Sequence, residues 1–164
     1  MIGGYVHERI MLDPLEAGFR KNGGTVHREY PVTLGRSPLT ADLLIESGPY
    51  RIVCEAERSL RRTHRDLLKA IQLDADLLLI VVPDWQLARA VKRRLAGRHR
   101  QLPSSKPMIM VLPLGVVLQR FRKQKDFVIE ALVTRQESRK SPVNRPREQH
   151  GNSSVPQKLD EKSS

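Results

Sequence analysis

Three carboxylates stand at the ends of two short apolar runs: Asp42 near the start of ADLLIES, and Glu55 and Glu57 at the end of RIVCEAE. Residues i and i+2 of a strand share a face. Glu55 and Glu57 therefore point the same way, with Val53, while Ile52, Cys54 and Ala56 point to the other side. The short GPY turn between the runs predicts an antiparallel hairpin, which sets Asp42 beside the two glutamates. Like charges about 4 Å apart repel by roughly 4 kcal/mol at an effective dielectric of about 20. Such a cluster needs protons, neighbouring arginines or a divalent metal. An all-carboxylate donor set suits Mg²⁺, with Mn²⁺ as a substitute, completed by waters and a substrate phosphate.

The elements that must hold these groups alternate between helical and extended patterns. YVHERIML and DPLEAGFRKNGG predict one kinked helix or two short ones, with Asp13 as a cap before Pro14 and Gly23–Gly24 as the stop. TVHREYPVTL alternates Val26, Arg28, Tyr30, Val32 and Leu34 on one face of a strand. RSLRRTHRDLLKAIQLD predicts a helix whose apolar line is Leu60, Leu67, Leu68 and Ile71. ADLLLIVVP is apolar throughout, as in a strand covered on both faces. Asp84 caps a helix over WQLARAVKRRLAG that ends at Gly97; PMIMVLPLG predicts a strand, and DFVIEALVTR fits either type. The order predicts an α/β fold, a mixed central sheet flanked by helices, over residues 1–135. Residues 136–164 are polar, aperiodic and hold three prolines, which predicts a disordered tail.

The 164 residues include 29 Lys and Arg against 18 Asp and Glu, a net charge of +11. The tail holds six of these cations and four of the acids, so most of the excess belongs to the folded part. A polyanion is the expected partner, DNA first and RNA as the alternative. Arg58, Arg61, Arg62, Arg65 and Lys69 fall on one predicted helical stripe, either a solvated face or a grip on backbone phosphates. Arg89, Lys92, Arg93, Arg94, Arg98 and Arg100 form a second basic region. The one cysteine, Cys54, excludes an internal disulfide and reads as a small core residue. No His or Cys grouping has zinc-ligand spacing. The chain start lacks an apolar signal region and no apolar run is long enough to span a bilayer, so a cytoplasmic protein without membrane contact is expected.

Asp42 near the start of the second strand, and E55-A56-E57 on the third, lie thirteen residues apart within a helix, three strands, helix, strand order. In this the sequence resembles the PD-(D/E)XK, or restriction-endonuclease-like, nuclease superfamily, over roughly residues 5 to 83. The resemblance implies an αβββαβ core and Mg²⁺-dependent hydrolysis of DNA phosphodiesters. It implies Asp42 and Glu55 as metal ligands, Glu57 as third ligand or base, and Glu8 on the first helix as a further ligand. Ala41 stands where that family has its name-giving proline, and Glu57 where it usually has lysine. Some restriction enzymes with a Glu-x-Glu motif are active, and the orientation of the attacking water would then pass to Glu57 or to Lys69.

The implied role is an endonuclease of DNA repair, recombination, restriction or a mobile element, a homodimer if both strands are cut. An alternative is a relative that binds nucleic acid without cutting it. A third is an unrelated basic α/β protein on RNA or a ribosome, which would require Asp42 to lie far from Glu55.

Overall fold

Two tight turns set the first half of the sheet. β1 (Thr25–Leu34) meets β2 (Ser37–Ser47) through Gly35–Arg36, and β2 meets β3 (Tyr50–Ala56) through Gly48–Pro49. Each turn opens on a glycine at positive φ, +60° and +56°, where a Cβ would be strained. Both hairpins are antiparallel, and β4 (Leu77–Val82) and β5 (Met108–Pro113) then add parallel to β3, in the order β1-β2-β3-β4-β5. Between the parallel strands run α2 (Thr63–Gln72) and α3 (Trp85–His99). A computed structural model describes residues 6–99, 107–123 and 126–140 of the chain.

The molecule is a mixed five-stranded sheet with helices on both faces. On one face Leu12, Leu15 and Phe19 pack with Leu43, Ile45, Ile52, Cys54, Leu77 and Leu79. These come from a π-helical turn, Val6–Leu12, that runs straight into α1 (Asp13–Lys21). On the other face Leu67 and Ala70 of α2 and Ala88, Val91 and Leu95 of α3 cover Leu44, Val53, Leu78 and Ile80. β4 is buried along its whole length, as expected of a central strand covered on both faces. Asp84 accepts the Leu87 N–H at 2.8 Å and so caps α3.

Several expectations shift. Asp13 is already helical and caps nothing; its carboxylate instead pairs with Arg28 at 2.8 Å and Arg9 at 3.2 Å. Arg28 also binds Glu16 at 3.1 Å and Glu8, so one guanidinium ties the first helical segment to β1. β1 does not keep one alternating face. Glu29 takes φ +51°, and across it the strand turns over: Val26 joins the core under α1, and Val32 joins the opposite core, which α2 and α3 cover. The opposite strand turns over with it, Leu43 facing the first core and Ala41 the second, so the register is kept. Paired inversions leave the ladder in step, which period-2 counting on either strand alone cannot report.

Later in the chain, α3 runs past Gly97 to His99, because that glycine keeps a helical backbone. Leu114 and Gly115, the end of the predicted strand, instead open α4 (Leu114–Lys123), and the ambiguous segment forms α5 (Phe127–Lys140). Residues 136–140, read as the start of the tail, thus continue a helix, carried by Phe127, Val128 and Leu132 packing on the first core. Residues 141–164, and Arg100 in the second basic region, lie outside the described residues. Among the described residues no helix is long and apolar enough to cross a membrane.

Gly18 of α1 faces Phe121 of α4 so closely that a Cβ would sit 2.2 Å from a ring carbon. That ring is itself held edge-on between Phe19 and Phe127. Gly18→Ala should therefore cost about 1–3 kcal/mol by overpacking, despite alanine's higher helix propensity. Gly97→Ala, with open space around it, should gain about 0.5–1 kcal/mol. Urea unfolding midpoints of the two variants should move in opposite directions.

Candidate functional site

The three expected carboxylates gather where β2 and β3 part. Regular pairing of these strands stops at Leu43–Cys54. One residue on, the Asp42 side chain takes over: its Oδ2 accepts the Ala56 N–H at 2.8 Å. The Asp42 N–H in turn approaches Glu55 Oε2 at 3.5 Å. Glu57 lies just past β3, yet its N–H still binds the Val81 carbonyl of β4 at 2.8 Å, which holds its side chain at the mouth of the site. Asp42 and Glu55 are thus in contact, opposite to what the RNA or ribosome reading requires.

Lys69 enters this group from α2. Its Nζ lies 2.7 Å from Glu55 Oε2 and 2.9 Å from Asp66 Oδ1, and donates to the Thr40 carbonyl at 3.0 Å. Glu55 and Asp66 are each only 1% exposed, Lys69 7% and Glu57 8%. The expected apolar line of this helix is therefore rotated. Thr63, Asp66, Leu67, Lys69 and Ala70 face inward, while Leu68 and Ile71 are exposed. The physical reason is charge pairing: with Lys69 turned outward two buried carboxylates would be left without a counter-charge, which costs more than exposing one or two aliphatics. Nor do the basic residues form one exposed helical stripe, because the helix begins only at Thr63 and Lys69 is buried where Arg65 is exposed.

A cleft of about 570 Å³ opens over the carboxylates. Asp42, Glu55 and Glu57 form its acidic part; Arg58, Arg61, Arg62 and Lys69 supply the cations around them. Arg65 lines an adjoining cleft instead. Glu8, the ligand implied from the first helix, is not brought to the group. Arg28 on β1 holds its carboxylate, and its other oxygen faces His7 Nδ1 at 3.5 Å. The neighbouring residue takes the place: His7 Nε2 lies 3.2 Å from Asp42 Oδ2 and 3.1 Å from the Ala56 carbonyl. From sequence His7, beside Glu8, reads as a site neighbour or, more readily, a surface residue, and Asp66 only as a partner of the exposed basic residues; both belong to the site. The spacing Thr63, Asp66, Leu67, Ala70 is a helical line that would have placed Asp66 inside, had polar residues been counted with the apolar ones.

Burial dominates the electrostatics. It pushes the Glu55 carboxyl well above its ordinary range, with repulsion from Asp66 adding and Lys69 opposing. Burial and then Asp66 push Glu57 up to about 8. Asp66 rises for the same first reason, with Lys69 opposing. Burial alone would lower Lys69, but Glu55 and Asp66 outweigh it and the ammonium is held more firmly than usual. The hydrogen bond to Asp42 raises His7. Cys54 is fully buried and its thiol is pushed up by burial, which makes it an inert core group.

Among the described residues, no three His, Cys, Asp or Glu side chains are already arranged to hold a metal ion. The donor chemistry nevertheless suits one. Glu55 Oε1 is buried without a hydrogen-bond partner among the described residues, as is Asp66 Oδ2. A buried carboxylate oxygen left in that state is a place for a proton or a hard cation.

Lys69→Met should destabilise the fold by about 3–5 kcal/mol, because it strands two buried carboxylates. Adding Glu55→Gln should recover part of that loss, which a double-mutant cycle in urea would read. The folded state binds a proton at Glu57 up to about pH 8, whereas the unfolded chain releases it near 4.5. Stability measured in EDTA should therefore fall as the pH rises from about 5 to 8, and Glu57→Gln should flatten that slope.

No protein-family model matches this chain, and no curated protein does. One solved structure with similarity to it is the crystal structure of AF1548, a protein of unknown function, at 9% sequence identity and a TM-score of 0.47. The match covers 77% of this chain and 66% of that one. A likeness of that size carries no argument about either protein's activity.

Proposed function

We propose that the cleft hydrolyses DNA phosphodiester bonds with Mg²⁺ or, in its place, Mn²⁺. The observation that carries this reading is the contact between a buried ammonium, Lys69, and Glu55 at 2.7 Å, inside a carboxylate cleft with arginines around it. The sequence has Glu57 where the superfamily it resembles usually has lysine. Lys69 brings an ammonium to the same carboxylates from α2, so the set of charges is complete by another route. The succession of one helical segment, three strands, a helix and a strand agrees with a restriction-endonuclease-like core.

Asp42, Glu55 and Glu57 would hold the metal, whose chemistry there is Lewis acidity toward the phosphate and a lowered pKa for bound water. The remaining work belongs to the chain itself. Arg58, Arg61 and Arg62 draw the sugar–phosphate backbone to the cleft and neutralise its charge. Lys69, which lines the cleft, steadies Glu55 and places a fixed positive charge beside the phosphate, its three hydrogens being directed to Glu55, Asp66 and the Thr40 carbonyl. Glu57, with its carboxyl raised to about 8, can take up or give a proton near neutral pH. His7, which also lines the cleft, pairs with Asp42.

One observation favours a second reading, a platform that binds DNA without cutting it. Lys69 already compensates Glu55 and Asp66, so part of the acidic cluster is balanced without any metal. Incubation of plasmid, single-stranded and branched DNA with Mg²⁺ or Mn²⁺, against EDTA, separates the two. The nuclease reading expects metal-dependent cutting that falls at least about a hundredfold in Glu55→Gln and Asp42→Asn, the scale of a few kcal/mol of lost stabilisation. Tight binding with no cutting in any metal would leave the platform standing.

A further inference from the structure

A second cleft, of about 460 Å³, adjoins the first and shares Thr40, Arg62 and Lys69 with it. The hydrogen bond from Lys69 Nζ to the Thr40 carbonyl, 3.0 Å long, stands in the common wall. Beyond that wall the chemistry changes. The first cleft is acidic below and cationic around, whereas the second is lined by Pro31, Pro38 and Leu39, with Arg65 beside them. Its acid, Asp66, is buried and paired with Lys69. The apolar side is preformed, because Pro31 and Thr40, and Val32 and Leu39, are paired partners of the β1–β2 hairpin.

We infer that this second cleft receives one unpaired base of a DNA strand whose neighbouring phosphate lies over Asp42 and Glu55. The inference rests on the proposed function and narrows its substrate to single-stranded or locally unpaired DNA. A strand drawn along Arg62 passes directly from the carboxylates to the proline–leucine wall. Phosphates suit the first environment and the flat apolar face of a base suits the second. Bases stack on apolar surfaces and on guanidinium planes without regard to sequence, and Arg62 and Arg65 supply such planes. The volume falls in the usual range for small organic groups, about 300–1,000 Å³. A base held in duplex cannot enter without unstacking, which costs a few kcal/mol, so an unpaired strand is preferred.

The test uses the full chain in EDTA and in Ca²⁺. Its probes are a single-stranded oligonucleotide carrying 2-aminopurine, the duplex of the same sequence, and an abasic sugar–phosphate strand of equal length. Wild type should bind the single strand more tightly than the abasic strand and change the 2-aminopurine fluorescence. Leu39→Ser should weaken single-strand binding about tenfold, the scale of one lost stacking contact, and leave the duplex within twofold. Pro38→Ser, at an exposed position, should act in the same direction and guards against a folding defect at Leu39. Equal losses on single strand and duplex, or abasic affinity equal to that of the base-bearing strand, would overturn the subsite. If metal-dependent cutting persists alongside either result, only the subsite fails. Base-dependent binding through Leu39 without cutting supports the subsite and removes hydrolysis. No binding to any of the three probes overturns both.

Discussion

A lysine buried against two carboxylates is the contact on which the candidate site depends. Glu55 and Asp66 are almost wholly removed from water, and neither could remain there ionised without a counter-charge. Lys69 supplies it at 2.7 and 2.9 Å, and its third hydrogen goes to the Thr40 carbonyl. A buried triad of this kind adds little net stability over an apolar core, but breaking it leaves a stranded charge. It therefore acts as a selector of geometry. α2 must dock with Lys69 inward, and Leu68 and Ile71 are exposed as a result.

The sheet meets that requirement from below through an irregularity. β1 and β2 turn over together at Glu29 and Asp42, which frees the Asp42 carboxylate from the regular alternation of faces. It then completes the β2–β3 edge by accepting the Ala56 N–H. A strained residue, Glu29 at φ +51°, thus lies opposite the place where the acids converge. The Arg28 cluster keeps the first helical segment pressed on the same part of β1, which brings His7 within reach of Asp42. Local strain at the site is offset by ion pairs and a large apolar core behind it.

Charge is partitioned sharply over a short distance. The chain carries a net +11, yet among the described residues the buried charged side chains are three acids and one lysine. Arginines at 58, 61 and 62 stand immediately after the last acid, so the cleft presents cations to solvent and carboxylates beneath them. A polyanion approaching from solvent is attracted before it meets the acids. Glu57 is raised into the neutral range by burial and by Asp66, with Lys69 opposing.

Alternation, caps and turn residues were enough to read the mixed α/β class, the order of the first eight elements with the opening helical segment taken as one, and the nearness of Asp42, Glu55 and Glu57. These follow from local rules: side-chain period, Gly at tight turns, and an acid before α3. The sequence could not say that Lys69 and Asp66 face inward, because periodicity counts apolar residues and a balanced ion pair hides among the polar ones. It could not choose His7 over Glu8, since the choice is made by Arg28, twenty residues beyond Glu8. Nor could it show the shared inversion of β1 and β2, or the continuation of α5 through residue 140. Those were decided by tertiary contacts, where buried charges must find partners and apolar helices must find a core.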